Sequence, residues 1–174
     1  MDGLAHVLWT NAVFHSKYAH QRRQRYWAAF FGVLPDLIAF APLFVFMAAQ
    51  TLAHGFTKQG SFFTPFEHPT GIYAFTVQAY NYSHSLVVFA IAFVCVLLAN
   101  RGRIYWPLLG WALHIVIDIF THPDFFRTPF LYPLSNFKNS HAINWSDPVF
   151  MLVNYGCLAV VYIIIWRYQK RKTA

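Results

Sequence analysis

Residues 104–122 read IYWPLLGWALHIVIDIFTH, an apolar run that carries His114, Asp118 and His122 at steps of four. A step of four turns an α-helix by about 400°, so the three side chains drift only slowly around one face. The run is long enough to approach the roughly 20 residues that cross a bilayer. An ionisable group in such a stretch is costly unless it is paired, holds a metal or lines a wet cavity. The same conflict recurs along the chain. Asp36 and His84 also lie inside apolar segments, and His6 sits in the short apolar stretch GLAHVLWTNAVF (3–14).

Composition supports the membrane reading. The 174 residues are 57% hydrophobic and 20% aromatic, with 11% charged. A soluble domain carries roughly a quarter charged residues. Four blocks, 27–50, 83–99, 104–121 and 148–166, meet or approach spanning length, and Asn100-Arg101-Gly102-Arg103 links the middle two in a tight hairpin. The expected fold is all-α: a polytopic helical membrane protein with about four transmembrane helices and a short embedded N-terminal helix. Residues 1–174 form a single integral membrane domain. Pro35 should kink the first span beside Asp36. The second span has room to begin before residue 83. Between Gly71 and Asn100 there is no proline, and Gln78, Asn81, His84 and Ser85 fall on one helical face.

The net charge of +7 is compatible with a nucleic-acid partner in principle, but its distribution argues against one. Lys17, Arg22, Arg23 and Arg25 precede the first span, Arg101 and Arg103 sit in the hairpin, and Arg167, Lys170, Arg171 and Lys172 follow the last. Four spans put these ten of the thirteen basic residues on one side, leaving Lys58, Arg127 and Lys138 on the other. That is the positive-inside pattern, and it puts the C-terminus in the cytoplasm. The partner implied is the lipid bilayer, and no nucleic acid is expected. Cys95 and Cys157 read as small apolar filler within spans. The start, Met1-Asp2-Gly3-Leu4, lacks a basic region and a cleavage site, so no removable signal peptide is expected.

Depth gives an independent argument. Counted at about 1.5 Å per residue from the cytoplasmic ends, His6, Asp36, His114, Asp118 and His84 lie roughly 12, 14, 15, 21 and 22 Å deep. All five fall in one slab about 10 Å thick near the bilayer centre. Imidazole and carboxylate groups meeting there are a natural site for a divalent metal such as zinc, one ion or two. His122 can add a ligand or move protons, while Ser83, Ser85 and Thr121 can orient ligands. His15, His20, His54, His68 and His141 fall in loops or surface segments and are expected to be exposed. Glu67, Asp124 and Asp147 read as loop carboxylates. Asp124 stands apart from the other two because it follows His122 by two residues. The residues alone leave three functions open: a metal-dependent hydrolase; a non-enzymatic metal-transport, metal-sensing or haem-binding protein; or an assembly protein whose buried polar groups merely tie helices together.

The ordered pieces resemble a known family. His6, Leu34-Pro35-Asp36, Ser83-His84-Ser85, His114-Ile115-Val116-Ile117-Asp118 with Thr121, and Leu131-Tyr132-Pro133 look like the LexA-binding, inner-membrane-associated hydrolases. These are also described as bacterial membrane-bound metal-dependent hydrolases. The resemblance covers roughly residues 3–135. More distantly, the series His, Asp, His, H-x-x-x-D is similar to the zinc-dependent phospholipase C and P1 nuclease group. The resemblance implies metal ligands at His6, Asp36, His84, His114 and Asp118, and a bacterial inner-membrane location. It also implies hydrolysis of a lipid or lipid-linked phosphoester by metal-activated water, with His122 or Asp124 moving protons. The chain departs from the family pattern in three places. Ile38 stands where a second Asp is common, Asn81-Tyr82-Ser83 replaces an Arg- and Thr-containing run, and His122-Pro123-Asp124-Phe125 lacks an expected Gly.

Overall fold

A computed structural model describes residues 1–15, 18–55, 66, 68–123 and 126–173. Every regular element among them is helical: α1 (Gly3–His15), α2 (Arg22–His54), α3 (Gly71–Ser83), α4 (Leu86–Ala99), a 3-10 turn (Trp106–Leu108) running into α5 (Leu109–Thr121), and α6 (Pro148–Thr173). Helix α2 is the hub, packing against α1, α3 and α5, and α6 leans on α1.

The exposed surface is that of a protein turned inside out. His6, Thr10, Thr76, His84, His114 and Asp118 are fully buried, while Leu, Val, Ile and Phe residues of α2, α4 and α6 are exposed. A protein whose polar groups are inside and whose large apolar residues are outside has its outer surface matched to hydrocarbon. Two helices, α2 and α6, are long and apolar enough to cross a membrane, and the count rises to three if the bent pair α3–α4 is one span. Four spans were expected, and two local features account for the difference. The second span is interrupted at His84-Ser85, with a bend of 62° between α3 and α4. The third, Trp106–Thr121, reaches only about 24 Å at 1.5 Å per residue, short of a hydrocarbon core about 30 Å thick.

The α3–α4 break has a visible cause. The Ser85 side chain accepts hydrogen bonds from the Val87 and Val88 amides at 3.1 and 3.2 Å, capping the start of α4. Its own hydroxyl donates to the Tyr132 carbonyl, and the Leu86 amide donates to the Phe130 carbonyl at 2.9 Å. The loop at Phe130 and Tyr132 thus supplies partners for a backbone that has left the helix. The face expected from Gln78, Asn81, His84 and Ser85 therefore does not form as one stripe. Gln78 is exposed and donates to the Tyr132 hydroxyl at 3.1 Å. The buried face of α3 is Thr76, Tyr80 and Ser83. Helix α2 continues without a break through Pro35 and Pro42, so Asp36 is an interior helical residue.

His15 also differs from expectation. It is buried, and its Nε2 lies 2.7 Å from the Gln169 amide nitrogen, whereas His20, His54, His68 and His141 are exposed as expected. Asp147 is more than a loop carboxylate. Its Oδ1 accepts from the Val149 and Phe150 amides and caps α6.

Candidate metal centre

The helices reach the site because small residues let them close on one another. A Cβ at Gly110 of α5 would collide with the Ala28 carbonyl of α2, and a Cβ at Gly32 would collide with the Thr10 side chain of α1. Ala28 and Gly32 lie one turn apart on α2, the spacing by which small residues bring membrane helices together. This crossing sits one turn from His114, whose Nδ1 meets the Gly32 carbonyl at 2.7 Å. None of Thr10, Gly32 or Gly110 was singled out in the sequence. The spacing of Ala28 and Gly32 was the available sign.

Asp36, His84, His114 and Asp118 converge. One ligand atom from each lies within 4.8 Å of all the others, a group that can hold a metal ion. His84 Nε2 is 3.5 Å from Asp36 Oδ1 and 3.6 Å from Asp118 Oδ2. His114 Nε2 is 3.8 Å from Asp36 Oδ1 and 3.0 Å from Asp118 Oδ2. The two imidazole Nε2 atoms are 3.1 Å apart.

Hydrogen bonding on the far side of each ring assigns its proton. A carbonyl oxygen only accepts, so His114 Nδ1 must be the N–H that donates to Gly32. His84 Nδ1 lies 3.2 Å from the Tyr80 carbonyl and 2.9 Å from the Ser83 hydroxyl, so it too carries its proton there. In its neutral form each ring then presents an Nε2 lone pair to the same centre. Asp118 Oδ2 has no hydrogen-bond partner, although His114 Nε2 is 3.0 Å away. With both rings neutral, four lone-pair donors face one another. A cation, or a proton on one Nε2, relieves that repulsion, and the carbonyl bonds behind the rings are the usual support for metal-ligating histidines. The spacing matches as well. Two nitrogens about 2.05 Å from a tetrahedral ion sit about 3.3 Å apart, whereas ligands on opposite faces of one iron would be about 4 Å apart. The residues fit a small divalent ion better than a haem.

His6 sits against this group without joining it. Its Nε2 is 2.9 Å from Asp118 Oδ1, and its ring stacks on His114 with centroids 3.8 Å apart. The direction does not suit a hydrogen bond, and both ring nitrogens lack a hydrogen-bond partner. His122 follows the last turn of α5, with Nδ1 3.0 Å from Asp118 Oδ1 and a side chain 12% exposed. The same Oδ1 accepts from the Met1 amino group at 2.7 Å, and the Thr121 hydroxyl lies 3.5 Å away. Asp118 therefore faces two ways: Oδ2 toward the four-residue group, Oδ1 toward His6 and His122. Asp124 lies outside the described residues.

Two positioning residues went unremarked in the sequence. Tyr80 stacks its ring on His84 at 3.9 Å, and the Trp111 indole donates to the Ser83 carbonyl at 2.7 Å, tying α5 to the α3–α4 break. No protein-family model, curated protein or solved structure matches this chain, so the arrangement of these side chains carries the functional argument.

Proposed function

We propose that the chain is a membrane-embedded, metal-dependent hydrolase acting on a lipid or lipid-linked phosphoester. The observation that carries the reading is the convergence of two Nε2 lone pairs and two carboxylates, each imidazole held from behind by a backbone carbonyl. Asp36, His84, His114 and Asp118 would hold the ion, zinc first among candidates, and the bound ion would bring the pKa of a coordinated water to near neutrality. Asp118 Oδ1 positions His122, which is part-exposed and so able to pass a proton outward. His6 packs over the His114 ring and fixes its plane.

A lipid substrate is favoured by an apolar cavity of about 460 Å³ between α1, α5 and α6. Trp9, Val116, Ile117, Phe120 and Phe150 line it, together with Met1 and Thr121, both of which contact Asp118 Oδ1. The resemblance to the inner-membrane hydrolases agrees with this reading. Ile38, where that family commonly has a second Asp, is 42% exposed on the outer side of α2, so the departure removes no ligand from the cluster. The four-element membrane arrangement, with α5 as a short fourth crossing and the basic clusters in the bacterial cytoplasm, belongs to the same proposal.

The test is elemental analysis of the purified protein. Wild type should carry metal near stoichiometry, and His114→Ala and Asp118→Ala should both lose it. Metal retained at the wild-type level in both variants ends the ligand assignment. Metal present without any phosphoesterase activity on phospholipid substrates returns the site to the transport or sensing reading.

A further inference from the structure

A cavity of about 1250 Å³ lies at the other end of α1 from the metal centre. His15 is nine residues beyond His6, about 14 Å at 1.5 Å per residue, so the two sites are separate. The walls come from the end of α1, the start of α2 and the last turns of α6. Arg22, Arg25, His15, His20 and Lys170 contribute to the lining, and no Asp or Glu does. Arg25 Nε is buried without a hydrogen-bond partner, and among the described residues neither Arg22 nor Arg25 pairs with a carboxylate. Helix α2 begins at this cavity with no side-chain cap from Gln21, so its first-turn amides add to the positive field. Along α6 the lining runs from apolar Val161, Ile164 and Ile165 through Trp166 and Tyr168 to polar Gln169 and Lys170. Lys170 lies 5.3 Å from the Trp166 ring.

A cation cluster above an aliphatic wall, with aromatic residues at the level where they meet, has the layering of a phospholipid seen from the side. A nucleic acid would leave the aliphatic wall unused, and a soluble anion would have no need of it. We propose that this cavity binds the phosphate headgroup of an anionic phospholipid, with Arg22 and Arg25 on the phosphate and an acyl chain lying along Val161, Ile164 and Ile165. The bound lipid bridges the start of α2 to the end of α6.

Native mass spectrometry of the full chain in detergent tests this, titrated with phosphatidylglycerol, with phosphatidylcholine of the same chains, and with inorganic phosphate. Phosphatidylglycerol should bind more tightly than phosphatidylcholine, and Arg22→Gln/Arg25→Gln should weaken it about fivefold per arginine. Arg101→Gln/Arg103→Gln, which removes equal charge from the hairpin, should leave the affinity unchanged. Should the arginine pair be needed for folding, Lys170→Gln at the exposed rim should show a loss of about fivefold by itself. Equal binding of the two lipids, an equal loss in the hairpin variant, or wild-type affinity in Lys170→Gln would each overturn the proposal. Inorganic phosphate displacing the lipid at matched concentration would mark a soluble-anion site and overturn it too. Metal content should stay at the wild-type level in all these variants, so a failure here leaves the metal centre untouched.

Discussion

Helices α5 and α6 are both apolar and both packed against α1, yet they behave oppositely. Helix α5 buries Gly110, His114, Ile115, Asp118 and Thr121, whereas α6 buries little beyond Asn154 and Leu158 and exposes Val149, Leu152, Val153, Val160, Ile163 and Ile164. In each helix the polar residue marks the inward face. Asp118 and His114 point to the cluster, and Asn154 accepts from the Trp9 indole at 2.8 Å. With hydrocarbon outside, apolar side chains carry no information about which way a helix turns, because lipid and protein interior are equally apolar to a leucine. Polar and very small residues carry that information. The contrast also separates two tasks. Helix α5 is held at close range by glycine and backbone contacts that fix ligand geometry, while α6 is attached by a few hydrogen bonds and one apolar seam, Leu158, Phe150 and Tyr162 against Ala5, Leu8 and Trp9, and exposes its other side.

This contrast can be broken most severely at Gly110. Gly110→Ala forces a methyl group into the Ala28 carbonyl, which is backbone and cannot swing aside. A loss of about 3 kcal/mol is expected, at the upper end for overpacking. A thermal melt should show it, with metal content falling in parallel as α5 is pushed off α2. An unchanged melt would mean that the α2–α5 contact is looser than described.

Ser83→Ala should act next most strongly, and on the site more than the fold. It removes the hydroxyl 2.9 Å from His84 Nδ1 and leaves the Tyr80 carbonyl in place. Metal affinity should fall about tenfold, the lower end for loss of an outer-shell partner. Competition with a zinc-binding dye would read it. No change would assign the orientation of His84 to Tyr80 alone.

Asn154→Leu addresses the α6 side of the comparison. It removes the bond to Trp9 and should cost about 1 kcal/mol without altering metal content. A loss of metal would show that α6 shapes the centre as well as lying beside it. The smallest effect is expected for Ile163→Ala on the exposed face of α6, within about 0.5 kcal/mol. A larger loss would place that face against protein, such as a second copy, and not against lipid.

Much of the candidate site was legible before any coordinates. His114, Asp118 and His122 announce themselves by steps of four within an apolar run, and Asp36 and His84 by being ionisable where charge is costly. The count of crossings was less legible. Ser83-His84-Ser85 sits in a stretch with no proline or glycine to mark a break, and the helix ends there because Ser85 caps α4 and the distant loop at Phe130 and Tyr132 takes the freed groups. The division of labour among the histidines was also hidden. His6 and His84 share the same composition and depth argument, but His6 Nε2 meets Asp118 Oδ1 while its ring stacks on His114, whereas His84 Nε2 faces Asp36 and the other Asp118 oxygen.

By themselves, the residues determined that the chain is helical, that it is greasy enough for a bilayer, and which ionisable side chains have no reason to be where they are. These are local properties, read from hydrophobicity and the cost of burying charge. Only the tertiary structure decided which lone pair each imidazole presents, that Asp118 faces two ways, and that arginines from α2 share a cavity with the tail of α6. Those depend on which carbonyl lies behind a ring and which helix ends meet. Both are set by contacts between residues far apart in the chain, where no spacing along the sequence can record them.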